Sequence, residues 1–242
     1  MLYNVLKYND RFIKVYAYNV KTERDLLFQR LDPYKTIESY HEILKNHIES
    51  NIEWDKLTTD EKYNIFYNMR ALSCSGDFTL QCQCNNCGTA FLTKHSSDSF
   101  MTAKHIEHPL LKDTYSDNVA DYFKDDINYE DIDIQAFAEI EKYILANRTQ
   151  FNFTKTIKCP NCKNDITINL RDIDILSGLF SEYDHVGFYT SIVNLMYFGK
   201  ADLHSILNDL YPFERNIYIE LINKQVEQQN KNKKNVLGAN QR

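Results

Sequence analysis

Four of the six cysteines form two pairs of one spacing, Cys84-Asn85-Asn86-Cys87 and Cys159-Pro160-Asn161-Cys162. A two-residue gap lets a tight turn aim two thiolates at one ion while the turn amides face the sulfurs. Gly88, directly after the first pair, suits a residue of positive φ. The flanks align as well: placing Cys84 on Cys159 also places Phe78-Thr79 on Phe153-Thr154 and Phe91 on Ile166. Each pair is therefore expected at the tip of a β-hairpin. Two such hairpins closing on one ion make a zinc ribbon, with Cys84, Cys87, Cys159 and Cys162 as ligands of Zn2+. Four sulfurs fill a tetrahedral shell and leave no position for water or substrate, so the site is expected to be structural. Gly88 to Lys158 is far longer than a minimal ribbon needs, so the metal would clip a long insertion to the framework. Structural zinc contributes on the order of 10 kcal/mol in small peptides. Cys82 aligns with Ile157, a core-type position, and Cys74 lies just beyond a helix end; both read as packed thiols.

Other chemistries fit less well. A redox CxxC needs a βαβ context, which is missing. His105-Ile106-Glu107 ahead of Cys159 superficially offers the HxE and CxxC of a zinc deaminase, but Lys158 stands where proline is needed and the other pair completes the shell. His95 and His105 are alternative ligands, but lone histidines near such turns read as surface or packing residues. The remaining histidines considered, His41, His47, His185 and His204, are scattered at helical positions. No GxSxG, HExxH or nucleophile–base grouping is visible, and no catalytic residue is assigned.

The elements that must hold these cysteines follow from periodicity. Residues 3 to 20 read as strands with a turn at Asn9-Asp10. Thr22 is expected to cap a short helix through Phe28 with Glu23 in its first turn. Ile37, Tyr40, Leu44 and Ile48 mark a helix over 36–50. Thr58 and Glu61 have capping-box spacing ahead of the stripe Ile65, Phe66, Met69 and Leu72. Strand–turn–strand patterns span 77–94 and 153–170, and 95–112 reads as loop. A helix is expected from Asp133 to about Asn147, with Phe137, Ile140 and Ile144 inward. Four further helices are expected at 173–181, 184–198, 202–208 and 213–229, with Pro212 in the first turn of the last and a frayed polar tail from Asn230. In that last helix Ile217, Tyr218, Leu221, Ile222 and Gln225 read as an intramolecular core stripe. Arg70 and Arg215 are each expected to pair with a carboxylate or lie on the surface.

The 242 residues suffice for a substantial core; hydrophobic residues are 43% and charged residues 26%, as in ordinary globular chains. Six dispersed glycines form no phosphate-cradling loop. The longest apolar-leaning stretch, Val186 to Phe198, is too short and polar to span a bilayer, so no membrane association is expected. MLYNVLKYND has no basic start before an apolar core, so no signal peptide is expected, and the expected place is a reducing cytoplasm. The net charge of −6 argues against nucleic acid. The rival is a nucleic-acid-binding ribbon using Lys155, Lys158, Lys163 and Arg171 with tail residues Lys231, Lys233 and Lys234. Against it, residues 113 to 141 hold ten acids and one base, Lys124.

The order of features carries a resemblance. An apolar helix with a central Arg70 (NIFYNMRALSCSGDF) leads into a CxxC hairpin, an insertion, a second CxxC hairpin and a helical end, YPFERNIYIELINKQVEQ. This arrangement resembles the baseplate hub subunit and baseplate hub assembly proteins of T-even-type contractile-tailed phages. The similarity runs through Trp54 to Gly88, Cys159 to Phe180 and Leu203 to Glu227. It implies a non-enzymatic role in forming the tail baseplate hub, as assembly factor or hub component. The implied partners are other hub and tail proteins, without a small-molecule substrate. The implied place is the host cytoplasm during assembly and, for a hub component that stays in the particle, the tail baseplate of the virion. Zinc is argued from the cysteines and not from the resemblance. Aromatic-rich helices suit the same role, since aromatic residues are favoured at interface cores.

The expected fold is α+β: a mainly helical body with short N-terminal strands and an inserted zinc ribbon of two CxxC β-hairpins. The expected divisions are 1–76, strands and helices; 77–170, hairpins with an acidic, partly helical insertion at 95–150; 171–229, helices; and 230–242, a polar tail. The alternative function is a zinc-ribbon adaptor for nucleic acid or transcription machinery.

Overall fold

The computed structural model describes residues 2–8, 11–96, 100–102, 104–114, 116 and 118–239. The expected Asn9-Asp10 turn and the side chains of Lys233 and Lys234 lie outside the described residues. The chain is α+β. Strands β1 (Tyr3–Tyr8) and β2 (Arg11–Tyr16) pair antiparallel. Helix α1 (Val20–Arg30) starts earlier than expected, because the Asn19 side chain, and not Thr22, caps it by accepting from the Thr22 N–H at 3.0 Å. Beginning at Val20 also buries that side chain.

Helix α2 (Ile37–Leu44) has the Thr36–Ser39 capping box. It stops short of 50: after a 3-10 turn, Ile48–Ser50 forms β3 against β2, with Ile48 opposite Val15. The free edge of β2 thus claims a β-branched residue that helical spacing assigned to α2. Helix α3 (Thr59–Ser73) has the expected Thr58–Glu61 capping box, and Ile65, Phe66 and Met69 are buried.

Strands β4 (Asp77–Gln83) and β5 (Ala90–Ser96) form the first CxxC hairpin. A two-rung ladder of β6 (Met101–Thr102) with β7 (Gln150–Phe151) closes the neck of the insertion. Between them lies helix α4 (Ile134–Asn147), capped by Asp133 as expected. Strands β8 (Thr154–Lys158) and β9 (Asp165–Asn169) form the second hairpin. The chain finishes with α5 (Ile173–Leu179), α6 (His185–Tyr197), α7 (Leu203–Asn208) and α8 (Pro212–Ala239). Helix α8 runs through Ala239, where a frayed end had been expected from Asn230.

Three apolar clusters organise these elements. The main one joins the N-terminal sheet, α2, α3, both hairpins and α5, with Phe66, Tyr67, Phe153 and Phe180 fully enclosed. A second joins α1 to α6, α7 and α8. The third lies wholly within the insertion: Ile106, Leu111, Tyr122, Phe123, Ile140 and Ile144.

Two buried arginines tie the body together. Arg215 is fully buried and donates to both carboxylate oxygens of Glu23, at 2.6 and 3.0 Å, and Ser181 Oγ donates to the same carboxylate at 2.6 Å. This pair turns α8 so that Arg215, Ile219 and Ile222 face inward. Ile217, Tyr218 and Leu221, expected in the core, are each about half exposed instead. Arg70 is also buried, but its acceptors are backbone carbonyls: Leu179 O at 3.2 Å, Asp77 O at 2.8 Å and Ser75 O. The expected carboxylate partner is replaced by three carbonyls from the end of α5 and the turn between α3 and β4.

Candidate metal centre

The two hairpins repeat one another down to the backbone. Cys82 faces Phe91 in the first as Ile157 faces Ile166 in the second. At the first tip, Gly88 N donates to Cys84 O at 2.8 Å and Cys84 N to Thr89 O at 2.9 Å. At the second, Lys163 N donates to Cys159 O at 3.0 Å and Cys159 N to Asn164 O at 2.9 Å. Gly88 has φ 71° and Lys163, its counterpart, φ 62°. Glycine announced the first of these; nothing in a lysine announces the second, and only the alignment of the two pairs exposes it.

The tips face each other. Cys84 Sγ lies 3.6 Å from Cys162 Sγ, and Cys87 Sγ lies 3.7 Å from Cys159 Sγ. All four sulfurs fall within 4.8 Å of one another. A tetrahedron of thiolates about 2.3 Å from a zinc ion has sulfurs about 3.8 Å apart, so the set fits such an ion. Asn161 Nδ2 donates to Thr89 Oγ1 at 3.2 Å and stitches one tip to the other. The Thr89 hydroxyl, 3.2 Å from Cys87 Sγ, and then the Thr89 backbone N–H, bring the Cys87 thiol down to about 6. The Asn86 side chain, followed by the Asn164 backbone N–H, pulls Cys162 down as well. These polar neighbours favour the thiolate, the ligand form, at Cys87 and Cys162. At Cys84 the turn N–H groups of Cys87 and Asn86 are outweighed by burial and the adjoining Cys162 and Cys87 sulfurs, which push it up to about 11. Sequence reasoning missed Thr89 and Asn161, whose types are common in turns.

The other two cysteines stand apart from this group. Cys74 is buried at the end of α3, its Sγ 3.3 Å from Tyr18 Oη, and burial pushes it up to about 12. Cys82 packs in the main core, 3.7 Å from Thr93 Oγ1. The histidines weighed as ligands are also elsewhere engaged. His95 Nε2 lies 2.8 Å from Thr93 Oγ1, and its ring stacks on Phe78. His105 Nδ1 lies 2.8 Å from Asp113 Oδ2 within the insertion, so the deaminase-like His105–Glu107 motif is not joined to the sulfurs. Among the described residues, no other group of three or more potential ligands is drawn together.

Lys155, Lys163 and Arg171 of the second hairpin make contacts within the chain. Lys155 sits over the Phe100 ring, Lys163 Nζ donates to Pro160 O, and Arg171 pairs with Asp60 at 2.9 Å. No described helix is long and apolar enough to cross a membrane.

Residues 2–124, just over half of the chain, match the family model described as T4 bacteriophage base plate protein. The chain belongs to this family. The matched span runs from β1 through the first CxxC pair and into the insertion. Neither a curated protein nor a solved structure matches the chain. In this baseplate protein the second CxxC pair therefore lies outside the matched span and is argued from its own geometry.

Proposed function

We propose that this baseplate protein helps form the tail baseplate hub through protein–protein contacts, and that it is stiffened by one structural Zn2+ bound to Cys84, Cys87, Cys159 and Cys162. The two hairpins are then the halves of a zinc ribbon. The match over residues 2–124 carries the reading, and the resemblance to hub proteins refines it. Partners are other hub and tail proteins, and the setting is the host cytoplasm during assembly and then the tail. A sealed four-sulfur shell supports a structural role, since zinc catalysis keeps a coordination position open. In the same reading, residues 1–76, 77–170, 171–229 and 230–242 are successive divisions of the chain, with 95–150 inserted into the second.

Tagged protein recovered from infected cells should bring down hub or tail proteins at both low and high salt. Recovery of DNA alone, released by salt, would support the adaptor reading instead. Cys84→Ser and Cys159→Ser should each reduce zinc to well below one per chain and lower the melting temperature. Unchanged metal content in either variant refutes the zinc assignment.

A further inference from the structure

Helix α6 carries no Asp, Glu, Lys or Arg from His185 through Phe198. One of its faces, Phe188, Ile192 and Leu195, is buried against α1, α7 and α8. The opposite face is as apolar and lies open. Val186 is 75% exposed, Val193 60% and Tyr197 68%, and Tyr189 and Met196 are nearly half exposed. Val186, Tyr189, Val193 and Met196 follow the three–four–three spacing of a seam that packs against another helix. Phe198, just past the helix, is half exposed too, and Phe28 of α1 extends the patch by packing on the His185 ring.

We propose that this face of α6 is the interface through which two copies of the chain pair about a twofold axis, α6 against α6. Half of each of four aromatic side chains gives about 400 Å². With the two valines and Met196, the open apolar area reaches roughly 650 Å². A stable dimer covers about 800 Å² on each partner, so this patch is most of one such face. A twofold contact is self-complementary, residue i of one copy meeting residue j of the other and j meeting i, so a face of one charge sign would repel its own copy. This chain has net charge −6, yet Val186, Tyr189, Val193 and Met196 carry none of it, and Lys200, over the Tyr197 ring at 5.2 Å, lies at the end of the face, so nothing along the seam repels a second copy. A partner recognised by charge would leave acids or bases at the centre of the face.

The test uses the full-length, zinc-loaded protein in sedimentation equilibrium from about 1 to 100 μM, at 0.15 and 0.5 M NaCl. A dimer is expected at both salt concentrations, because screening affects an uncharged seam little. Val193→Glu should give a monomer with unchanged helical circular dichroism and zinc content. Tyr197→Glu, one turn along the same face, should do the same and guards against a folding defect at 193. A monomer throughout the range overturns the proposal and leaves the face to a different protein. A dimer that survives both substitutions, or that falls apart in 0.5 M NaCl, overturns it equally.

Discussion

Lys163 holds a left-handed backbone conformation that costs a non-glycine residue about 1–2 kcal/mol, while Gly88 holds the same conformation freely. Lys163→Gly should therefore raise stability by about 1 kcal/mol in a thermal melt and leave metal content unchanged, less whatever its Nζ bond to Pro160 O contributes. Around Gly88 there is open space for a Cβ, so a loss in Gly88→Ala would report backbone strain alone. Arg215→Ala leaves the Glu23 carboxylate buried without its cation and should cost about 3–5 kcal/mol in denaturant unfolding. His47 gives a pH dependence. Burial holds its ring below the ordinary value, although the Ala17 carbonyl, 3.2 Å from Nδ1, opposes this. The unfolded chain takes up that proton near 6.5 and the folded chain only at lower pH, so stability falls as pH drops through 6.5. His47→Gln should show a shallower fall in melting temperature between pH 7 and 5.5. The cysteine set was legible because each pair is local and the two pairs match. The Glu23–Arg215 pair was not: its partners lie at opposite ends of the sequence, and either alone looks like a surface charge.

Among elements, those with both a cap and a stripe were readable. Helix α3 begins where Thr58 and Glu61 place it; Thr58→Ala should lower stability by about 1 kcal/mol, measured by urea unfolding, because the Glu61 N–H loses its acceptor and the Glu61 carboxylate loses the Thr58 hydroxyl. The α4 start at Asp133 and both hairpins were legible for similar local reasons. Helix α2 was overextended because Ile48 satisfies a helical period equally well, and only the unpaired edge of β2 decides its fate. The inward face of α8 was misjudged because apolar spacing offered two stripes sharing Ile222, and the buried arginine selects between them.

At the scale of the molecule, the third apolar cluster uses no residue of the other two. The chain enters and leaves it through adjacent strands, Thr102 lying opposite Gln150. Joining those two residues by Asn-Gly in place of 103–149 should close a hairpin turn and leave a folded protein that still binds one zinc, read by circular dichroism and metal analysis. An unfolded product would mean that the body depends on its insertion. Periodicity assigned α4 within this region but did not reveal the separate core, whose Leu111 and Phe123 meet through an isolated bridge between irregular segments.

The same neck has a mechanical consequence. Strand β5 leads from it to one pair of sulfurs and β8 to the other. Tension applied to the acidic lobe by anything that grips it travels up both strands and arrives as a force prising the two cysteine turns apart. A bound ion at that junction would set how hard the lobe can be tugged before the body opens.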